Sequence, residues 1–127
     1  MNQGPVHGKS DHVVVLADPH DISPYFAKDR KTVILFEMTL CPFCRMFQSR
    51  FLDFAAACSR DHDFLRVKLD DHGNPLWERY QIETVPTVMV FSNGQIQSRL
   101  DSIPLRGISR KKWGEFQEKI QLPGSIG

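Results

Sequence analysis

Two cysteines separated by two residues, Cys41 and Cys44, stand where the hydrophobic pattern changes from that of a strand to that of a helix. Residues 32–36 are almost wholly apolar and rich in β-formers, which predicts a strand buried on both faces. From Pro42 onward, apolar residues recur every three or four positions, which predicts a helix. Both thiols therefore belong at the N-terminal end of a helix, where free N–H groups and the helix dipole favour a thiolate. Because a thiolate is the nucleophile of disulfide exchange, this junction indicates redox chemistry.

The length and composition favour a single globular domain. The chain has 127 residues, of which 41% are hydrophobic and 24% charged, and its net charge is +1. A net charge this small creates no strong electrostatic field that would attract nucleic acid or an anionic membrane. No apolar run approaches the ~20 residues of a membrane span. We expect a flexible leader over residues 1–11, a domain over residues 12–122 and a tail over residues 123–127. A monomer is expected.

The cysteine count and the N-terminal segment bear on the cellular compartment. Three cysteines are an odd number, without the spacing of small secreted proteins, which argues against a structural disulfide framework. Residues 1–11 lack the apolar centre of a signal peptide. A reducing cytoplasm is therefore expected, although a periplasmic protein whose signal sequence has been removed has the same pattern.

The hydrophobic pattern predicts nine elements in the order β-α-β-α-β-α-β-β-α. Helix start signals occur at Ser23, Asn74 and Ser109, and the first of these helices should be short, ending near Asp29. Asn93-Gly94 predicts a type I′ turn, because both central residues of that turn need positive φ. The predicted strands are residues 13–16, 32–36, 64–69, 85–91 and 95–100. Strands that alternate with helices are usually parallel, so we expect an α/β fold with a central mixed sheet and helices on both faces.

Several short segments extend this pattern beyond the two cysteines. In chain order they are Lys68-Leu69-Asp70, Asn74-Pro75, Val85-Pro86-Thr87 and Asn93-Gly94. In order and in near-family spacing they resemble the thioredoxin superfamily, over about residues 13–120. The resemblance implies a thioredoxin-like fold and a thiol–disulfide oxidoreductase that acts on protein disulfides without a metal or organic cofactor. It also implies an electron donor, either a separate reductase or glutathione.

The resemblance implies a role for each residue around the dithiol. Cys41 is expected to attack the substrate disulfide, and Cys44, on the apolar face of the helix, to resolve the mixed disulfide. Pro42 begins the helix, and Arg45 places a cation near the nucleophile. We expect Phe43 to be exposed beside Cys41, where an apolar ring would contact partner proteins.

The segment Val85-Pro86 occupies the position of the family's cis-proline. A cis bond before Pro86 is expected to expose the backbone of Val85, which could then pair with an extended substrate strand. A trans proline at the first residue of a strand is the alternative.

Three positions near the dithiol bear on how closely the chain follows the thioredoxin pattern. Leu40 replaces the usual tryptophan, and Leu35 replaces a buried aspartate that helps to deprotonate the second cysteine. Glu37 lies two residues further on, on the same side of the strand as Leu35. Lys68 matches the family lysine beside that aspartate, so we expect a Glu37–Lys68 pair near the cysteines. A loop or edge carboxylate is the alternative for Glu37.

Three other functions deserve comparison with this one. Cys41, Cys44, Cys58 and His62 have the residue types of a zinc site, but one helix would separate Cys44 from Cys58 by about 21 Å. We therefore predict no metal site and expect Cys58 to be a small buried apolar residue. The Pro-Phe dipeptide between the cysteines resembles glutaredoxins, so a glutathione-dependent enzyme stays open, although no Gly-Gly-x-Asp run follows the last strand. A non-enzymatic interaction module is the third alternative.

Overall fold

The computed structural model describes residues 12–121, so the expected leader, residues 1–11, and tail, residues 123–127, lie outside the described residues. Strands and helices alternate along most of the chain. In chain order the elements are β1 (Val13–Ala17), a 3₁₀ turn (Ser23–Tyr25), β2 (Lys31–Glu37), α1 (Pro42–Cys58), β3 (His62–Lys68), α2 (Leu76–Arg79), β4 (Thr87–Ser92), β5 (Gln95–Asp101) and α3 (Arg110–Gln121).

The five strands form one mixed sheet in the order β1-β3-β2-β4-β5. β1, β3 and β2 are parallel, and β4 is antiparallel to both β2 and β5. β2 is the central strand, and its residues from Thr32 to Glu37 are all buried. A strand covered on both faces needs apolar side chains on both, which explains the continuous apolar run in the sequence. A short loop joins the carboxyl end of β2 to α1. The dithiol therefore lies at the carboxyl end of the central strand.

Helices cover both faces of the sheet, as predicted. On one face, Phe47, Phe51 and Phe54 of α1 surround Trp113 of α3, with ring centroids 4.8–6.4 Å apart. The other face carries a second apolar cluster, which includes Leu76 of α2. Burying one such large apolar side chain stabilises the fold by about 1.5–3 kcal/mol.

Alternate residues of β2 contribute to opposite faces. Val33 and Leu35 belong to the cluster on the α1 face, whereas Ile34 and Phe36 belong to the cluster on the opposite face. This alternation places Glu37, the last residue of β2, on the same side as Leu35 and facing α1.

The helix predicted from Ser23 to about Asp29 is wrong. The structure has a single 3₁₀ turn over Ser23–Tyr25. Ser23 does not cap a helix, because its N–H and its hydroxyl both donate to the Asp21 carboxylate, at 3.1 and 3.0 Å. This local pairing stabilises a turn and competes with helical hydrogen bonds. Ile22 is fully buried in the core and fixes the segment against the sheet.

The hairpin between β4 and β5 is confirmed. Asn93 and Gly94 have φ values of 53° and 81°, the positive angles that a type I′ turn requires. β4 begins at Thr87 and not at Val85, because Pro86 has no N–H for the sheet ladder. The ladder of β4 against β2 ends where Phe36 pairs with Thr87, so the Val85-Pro86 segment lies beyond the sheet, close to the dithiol.

Candidate active site

The dithiol occupies the first turn of α1. Cys41 is the N-cap residue, and its Sγ accepts a hydrogen bond from the Cys44 backbone N–H at 3.2 Å. The Arg45 N–H donates to the Cys41 carbonyl at 3.0 Å, and Pro42 occupies the first helical position, where no intrahelical donor is needed. Cys41 is half-buried, whereas Cys44 is fully buried. One thiol is therefore accessible to a partner and the other is shielded.

The buried thiol is held in its protonated form. Burial raises the pKa of Cys44 far above that of a free thiol, and the hydrogen bond with Cys41 acts in the same direction. A hydrogen bond with the Met38 backbone lowers this pKa, whereas the electrostatic effects of Cys41 and of Glu37 raise it further. Cys44 thus becomes a nucleophile only when a neighbouring group or solvent takes its proton.

The Val85-Pro86 segment faces the first cysteine. The peptide bond between the two residues is cis, the isomer that the resemblance implies. The Cys41 Sγ lies 3.9 Å from the Val85 carbonyl oxygen. Two hydroxyl groups fix this segment, since Thr87 Oγ1 donates to the Thr84 carbonyl at 2.7 Å and Thr84 Oγ1 donates to the Ser102 carbonyl at 3.0 Å.

Glu37 is buried beside the dithiol and is paired with an arginine. Only 2% of its surface is exposed, and its Oε2 accepts a hydrogen bond from Arg66 Nε at 2.6 Å. Its Oε1 accepts from Gln48 Nε2 of α1 at 3.3 Å. The alternative of a surface carboxylate is therefore wrong for Glu37.

The expected Glu37–Lys68 pair is also wrong. The Cα of Lys68 stands opposite that of Glu37 in the parallel ladder, but Arg66 forms the ion pair. Arg66 lies two residues deeper along β3, where only 12% of its side chain is exposed. A guanidinium is more weakly hydrated than an ammonium and is better suited to a buried pair.

A solvent-accessible cavity of about 520 Å³ lies next to this ion pair. Glu37, Arg66 and Gln48 line it together with Arg45 and Lys68, so three cations and one buried carboxylate border the same cavity. Arg45 is exposed, as expected for a cation in the first turn of α1, and Lys68 is half-buried. The cavity gives solvent a route to the buried carboxylate.

The expectation for Phe43 needs correction. Phe43 was expected to be exposed, but it is half-buried and packs against Gly107, in the loop before α3. A Cβ added to Gly107 would stand 3.0 Å from Phe43 Cδ1, so a larger residue there would require the ring to move by a few tenths of an ångström. The φ of Gly107 is 73°, which also favours glycine. The ring is thus partly covered by this loop instead of standing free beside Cys41.

A second contact near the dithiol joins Thr39 to Asp70. The Thr39 N–H and hydroxyl donate to the two Asp70 oxygens at 2.7 and 2.6 Å. These bonds lower the pKa of Asp70. Thr39 lies two residues before Cys41, so the contact fixes the loop from β2 to the nucleophile. The sequence offered a signal in the segment Lys68-Leu69-Asp70, but the pairing depends on loop geometry.

Cys58 lies at the opposite end of α1 from the dithiol. It is buried in the apolar cluster between the sheet and helices α1 and α3. Fourteen residues of one helix separate it from Cys44, which corresponds to about 21 Å. Among residues 12–121, no group of three or more His, Cys, Asp or Glu side chains is placed to hold a metal ion. In the same part of the chain, no helix has the length and apolar character to cross a membrane.

Solved structures with this architecture include several thioredoxins. The chain is similar to the short form of thioredoxin f from spinach chloroplast, with a TM-score of 0.72 and 17% identity over 91% of this chain and 96% of that one. It is similar to thioredoxin O2 from Arabidopsis thaliana in the oxidised state, with a TM-score of 0.68 and 20% identity over 92% and 100% of the chains. It is also similar to a chain of the complex between ferredoxin:thioredoxin reductase and thioredoxin f2, with a TM-score of 0.64 and 16% identity over 71% and 82%. At these identities the likeness establishes the fold.

A sequence comparison extends this likeness from fold to family. The family model described as Thioredoxin matches residues 14–107, which span most of the chain from β1 to the loop before α3. The matched segment contains the Cys41–Cys44 dithiol and the Val85-Pro86 segment that faces it. The chain therefore belongs to the thioredoxin family, whose members are in general thiol–disulfide oxidoreductases.

Proposed function

We propose that this protein reduces disulfides of other proteins through the Cys41–Cys44 dithiol. The observation that carries the proposal is the pairing of an accessible thiol with a buried one: the Cys41 Sγ accepts the Cys44 N–H at 3.2 Å, and Cys44 has no exposed surface. A substrate sulfur can reach only the first thiol, while the second is hydrogen-bonded to the first and can attack it afterwards.

The first step is attack by the Cys41 thiolate on one sulfur of the substrate disulfide. A bond forms between the Cys41 Sγ and that sulfur, and the substrate S–S bond breaks. The released substrate sulfur leaves as a thiolate and takes a proton from solvent. The Cys44 N–H at the start of α1 points at the attacking sulfur and stabilises negative charge on it.

The second step is resolution of the mixed disulfide by Cys44. Cys44 loses its proton and attacks the Cys41 Sγ, so the Cys41–Cys44 disulfide forms and the bond from Cys41 to the substrate breaks. The second substrate sulfur leaves as a thiolate and is protonated. Two electrons have then passed from the dithiol to the substrate, and the enzyme is oxidised.

Glu37 is the group we assign to accept the Cys44 proton. It is the buried carboxylate that contributes to the raised pKa of Cys44, after burial and the effects of Cys41, and it lines a cavity open to solvent. A proton that moves from Cys44 toward Glu37 can therefore leave through this cavity. Arg66 and Gln48 fix the carboxylate, and Lys68 at the cavity wall adds positive charge nearby.

The backbone of Val85, next to Pro86, is the surface we assign to the substrate chain. It lies beside the Cys41 Sγ, which is 3.9 Å from the Val85 carbonyl oxygen. Val85 is only half-buried, so an extended polypeptide can approach it while its cysteine reaches Cys41.

The proposed partners are proteins with accessible disulfides and a reductase that regenerates the dithiol. One of the similar structures is a complex of a thioredoxin with ferredoxin:thioredoxin reductase, which supports a protein electron donor. Thiol–disulfide exchange needs no organic cofactor or metal. A reducing compartment, the cytoplasm, is part of this proposal, because the dithiol must return to its reduced form between turnovers.

The test is turnover of insulin disulfides with dithiothreitol as the reductant, followed by the precipitation of the free insulin chains. Wild type and Cys58→Ala should turn over at the same rate, whereas Cys41→Ser and Cys44→Ser should lose turnover. A parallel series with glutathione as the reductant separates the donors, since turnover with glutathione alone indicates a glutaredoxin-like enzyme. No turnover with either reductant would indicate that the protein is a non-enzymatic interaction module.

A further inference from the structure

Strand β1 forms one edge of the sheet, and some of its main-chain groups have no strand partner. Among the strands that the structure describes, β1 pairs with β3 alone. The Asp18 N–H, directly after β1, donates to the Lys68 carbonyl at 2.8 Å and so points toward β3. Because successive residues of a strand direct these groups to opposite sides, the N–H and C=O groups of Val13, Val15 and Ala17 point away from the sheet. Such an edge can pair with a further strand.

The composition of β1 favours pairing instead of preventing it. Its residues, Val13–Ala17, are all apolar and include no proline. The opposite edge strand, β5, carries Arg99 and Asp101, and a register shift between Val90 and Phe91 interrupts its ladder with β4. Charged side chains and bulges are usual means by which a protein blocks association through an edge strand. The β5 edge has both of these features, whereas β1 has neither.

Large apolar side chains are exposed on both faces of the β1 edge. Val14 is 48% exposed and Val15 is 43% exposed, and adjacent residues of a strand point to opposite faces. Val14 lines an open cavity of about 520 Å³ together with Tyr25, which is also exposed. Three of the eight large hydrophobic residues that are exposed in the described part of the chain therefore lie at this edge. Their position next to unpaired main-chain groups indicates an interaction surface.

The strand β1 is complementary to a second copy of itself. When two β1 strands run antiparallel with Val15 opposite Val15, Val13 of each copy lies opposite Ala17 of the other. Every outward-pointing residue then faces another one, so each of these pairs can exchange both of its N–H···O bonds. In the same register, the exposed His12 of each copy lies opposite Asp18 of the other. A basic side chain thus faces an acidic one at both ends of an otherwise apolar contact.

We infer that β1 is a self-association surface, through which two copies of this chain join their five-stranded sheets into one continuous sheet. The occupant of the edge is a second copy, because the edge matches itself in main-chain direction, in apolar side chains and in the charges at its ends. The inference does not depend on the proposed function. The sequence predicts a monomer, since the open edge becomes visible only once the strand order is known.

Association through β1 leaves both dithiols accessible. The two copies of β2 are five strand spacings apart, which corresponds to about 24 Å across the combined sheet. They run in opposite directions, so the two Cys41 side chains, beyond the carboxyl ends of β2, lie at opposite ends of the sheet. A disulfide between the two copies of Cys41 is therefore excluded in this dimer.

The test is sedimentation equilibrium of the whole chain in its reduced form, from about 1 μM to about 1 mM. A contact of one strand per copy is small, so we expect a reversible rise in mass from one chain to two. Val15→Lys places two ammonium groups opposite each other at the centre of the contact and should raise the dissociation constant of the dimer at least about tenfold. The exposure of Val15 allows a lysine there to extend into solvent in the monomer.

The matched control is Ile96→Lys on β5. Ile96 is 42% exposed, close to the value for Val15, and the substitution adds the same charge at the opposite edge of the sheet. This variant should dimerise as the wild type does.

A pair of variants tests the register of the contact. Val15→Lys and Val15→Glu should each remain monomeric alone, because like charges then meet at the centre of the strand pair. An equimolar mixture of the two variants should form a heterodimer, because opposite charges then meet.

Hydrogen exchange in the wild type gives a readout that needs no substitution. The N–H groups of Val13, Val15 and Ala17 should exchange more slowly as the protein concentration rises, in step with the fraction of dimer. Those of Val14 and Leu16, which point toward β3, should be protected at every concentration.

Several results would contradict the inference. A mass of one chain at every concentration would exclude the dimer, and an equally strong dimer in Val15→Lys would place the contact elsewhere. The same weakening in Ile96→Lys would attribute the effect to net charge. Protection of the Val15 N–H that does not depend on concentration would indicate that the chain's own N-terminal residues cover the edge. A dimer that dithiothreitol abolishes would be an intermolecular disulfide. Turnover of insulin is measured separately, so a failure of the proposed function is distinguishable from a failure of this inference.

Discussion

Replacing Glu37 by glutamine keeps the shape of the side chain and removes its charge, and two physical effects then predict opposite outcomes. Burial is the main reason why the pKa of Cys44 is raised, and the negative charge of Glu37 adds to it. If Glu37 acts only through this charge, Glu37→Gln makes the Cys44 thiolate easier to form and speeds up resolution. If Glu37 accepts the proton, the same substitution slows resolution. We expect slower resolution.

The size of the effect follows from the surroundings of the carboxylate. A positioned general base typically contributes about a hundredfold or more to a rate. The cavity of about 520 Å³ beside Glu37 is open to solvent, which can take over part of this role. We therefore expect Glu37→Gln to slow resolution several-fold and to alter the acidic side of its pH–rate profile, with attack by Cys41 nearly unchanged.

The substitution also affects stability, which needs its own control. Arg66, with 12% of its side chain exposed, loses its carboxylate partner in Glu37→Gln. Removing one member of a buried ion pair costs about 3–5 kcal/mol. The double variant Glu37→Gln/Arg66→Gln removes both charges and should recover most of this loss. Slow resolution that persists in the double variant is then a kinetic effect of the missing carboxylate.

The assay separates the two steps with one reagent. Reaction of the reduced enzyme with a limiting amount of 5,5′-dithiobis(2-nitrobenzoate) releases one coloured thiolate on attack by Cys41 and a second on resolution by Cys44. Stopped-flow absorbance gives both rates in a single turnover. A second phase in Glu37→Gln that is as fast as in the wild type, or faster, would refute the role of Glu37 as proton acceptor.

Three further predictions concern the titratable and nucleophilic groups. Cys44→Ser should accumulate mixed disulfides with substrate proteins, visible on non-reducing gels, and their persistence after Cys41 is also replaced would contradict the assignment. Because the pKa of Cys44 is raised above the 9.0 of a free thiol, the unfolded state loses this proton first. The reduced protein should therefore lose about 1.4 kcal/mol of stability per pH unit above pH 9 relative to Cys44→Ser, measured by urea unfolding. Burial, aided by the charge of Lys31, lowers the pKa of His62, so stability should fall as the pH drops below 6.5, and a His62→Gln variant with the same acid sensitivity would refute this cause.

The elements that follow a single periodicity were predictable from the sequence. Residues 32–36 lie within β2, which is covered on both faces, and the helix predicted from Pro42 onward is α1, which extends to Cys58 in the structure. Both segments are long or uniformly apolar, so tertiary packing and local pattern favour the same state. The short segment after Ser23 lacks this agreement. The N–H and hydroxyl of Ser23 donate to the Asp21 carboxylate, and this local pairing favours a turn over a helix.

The partner of Glu37 shows why side-chain pairing is harder to predict than strand position. Parity along β2 correctly places Glu37 on the α1 side, and the ladder sets the Cα of Lys68 opposite it. Arg66 and Lys68 lie on the same face of β3, so the alternation of side chains along the strand does not determine which of them pairs with Glu37. The choice depends on burial: Glu37 is almost fully enclosed, and the arginine further into the sheet is the cation that can be enclosed with it.

The surroundings of the two cysteines depend on contacts that the hydrophobic pattern of the sequence cannot predict. The loop between β5 and α3 contains two positive φ angles, at Leu105 and Gly107, and only the folded chain brings it against Phe43. The sequence predicts an exposed aromatic ring between the cysteines, whereas the folded protein covers part of that ring and exposes Leu105 nearby. The surroundings of the dithiol therefore depend on the loop before α3 as well as on the helix that carries the two cysteines.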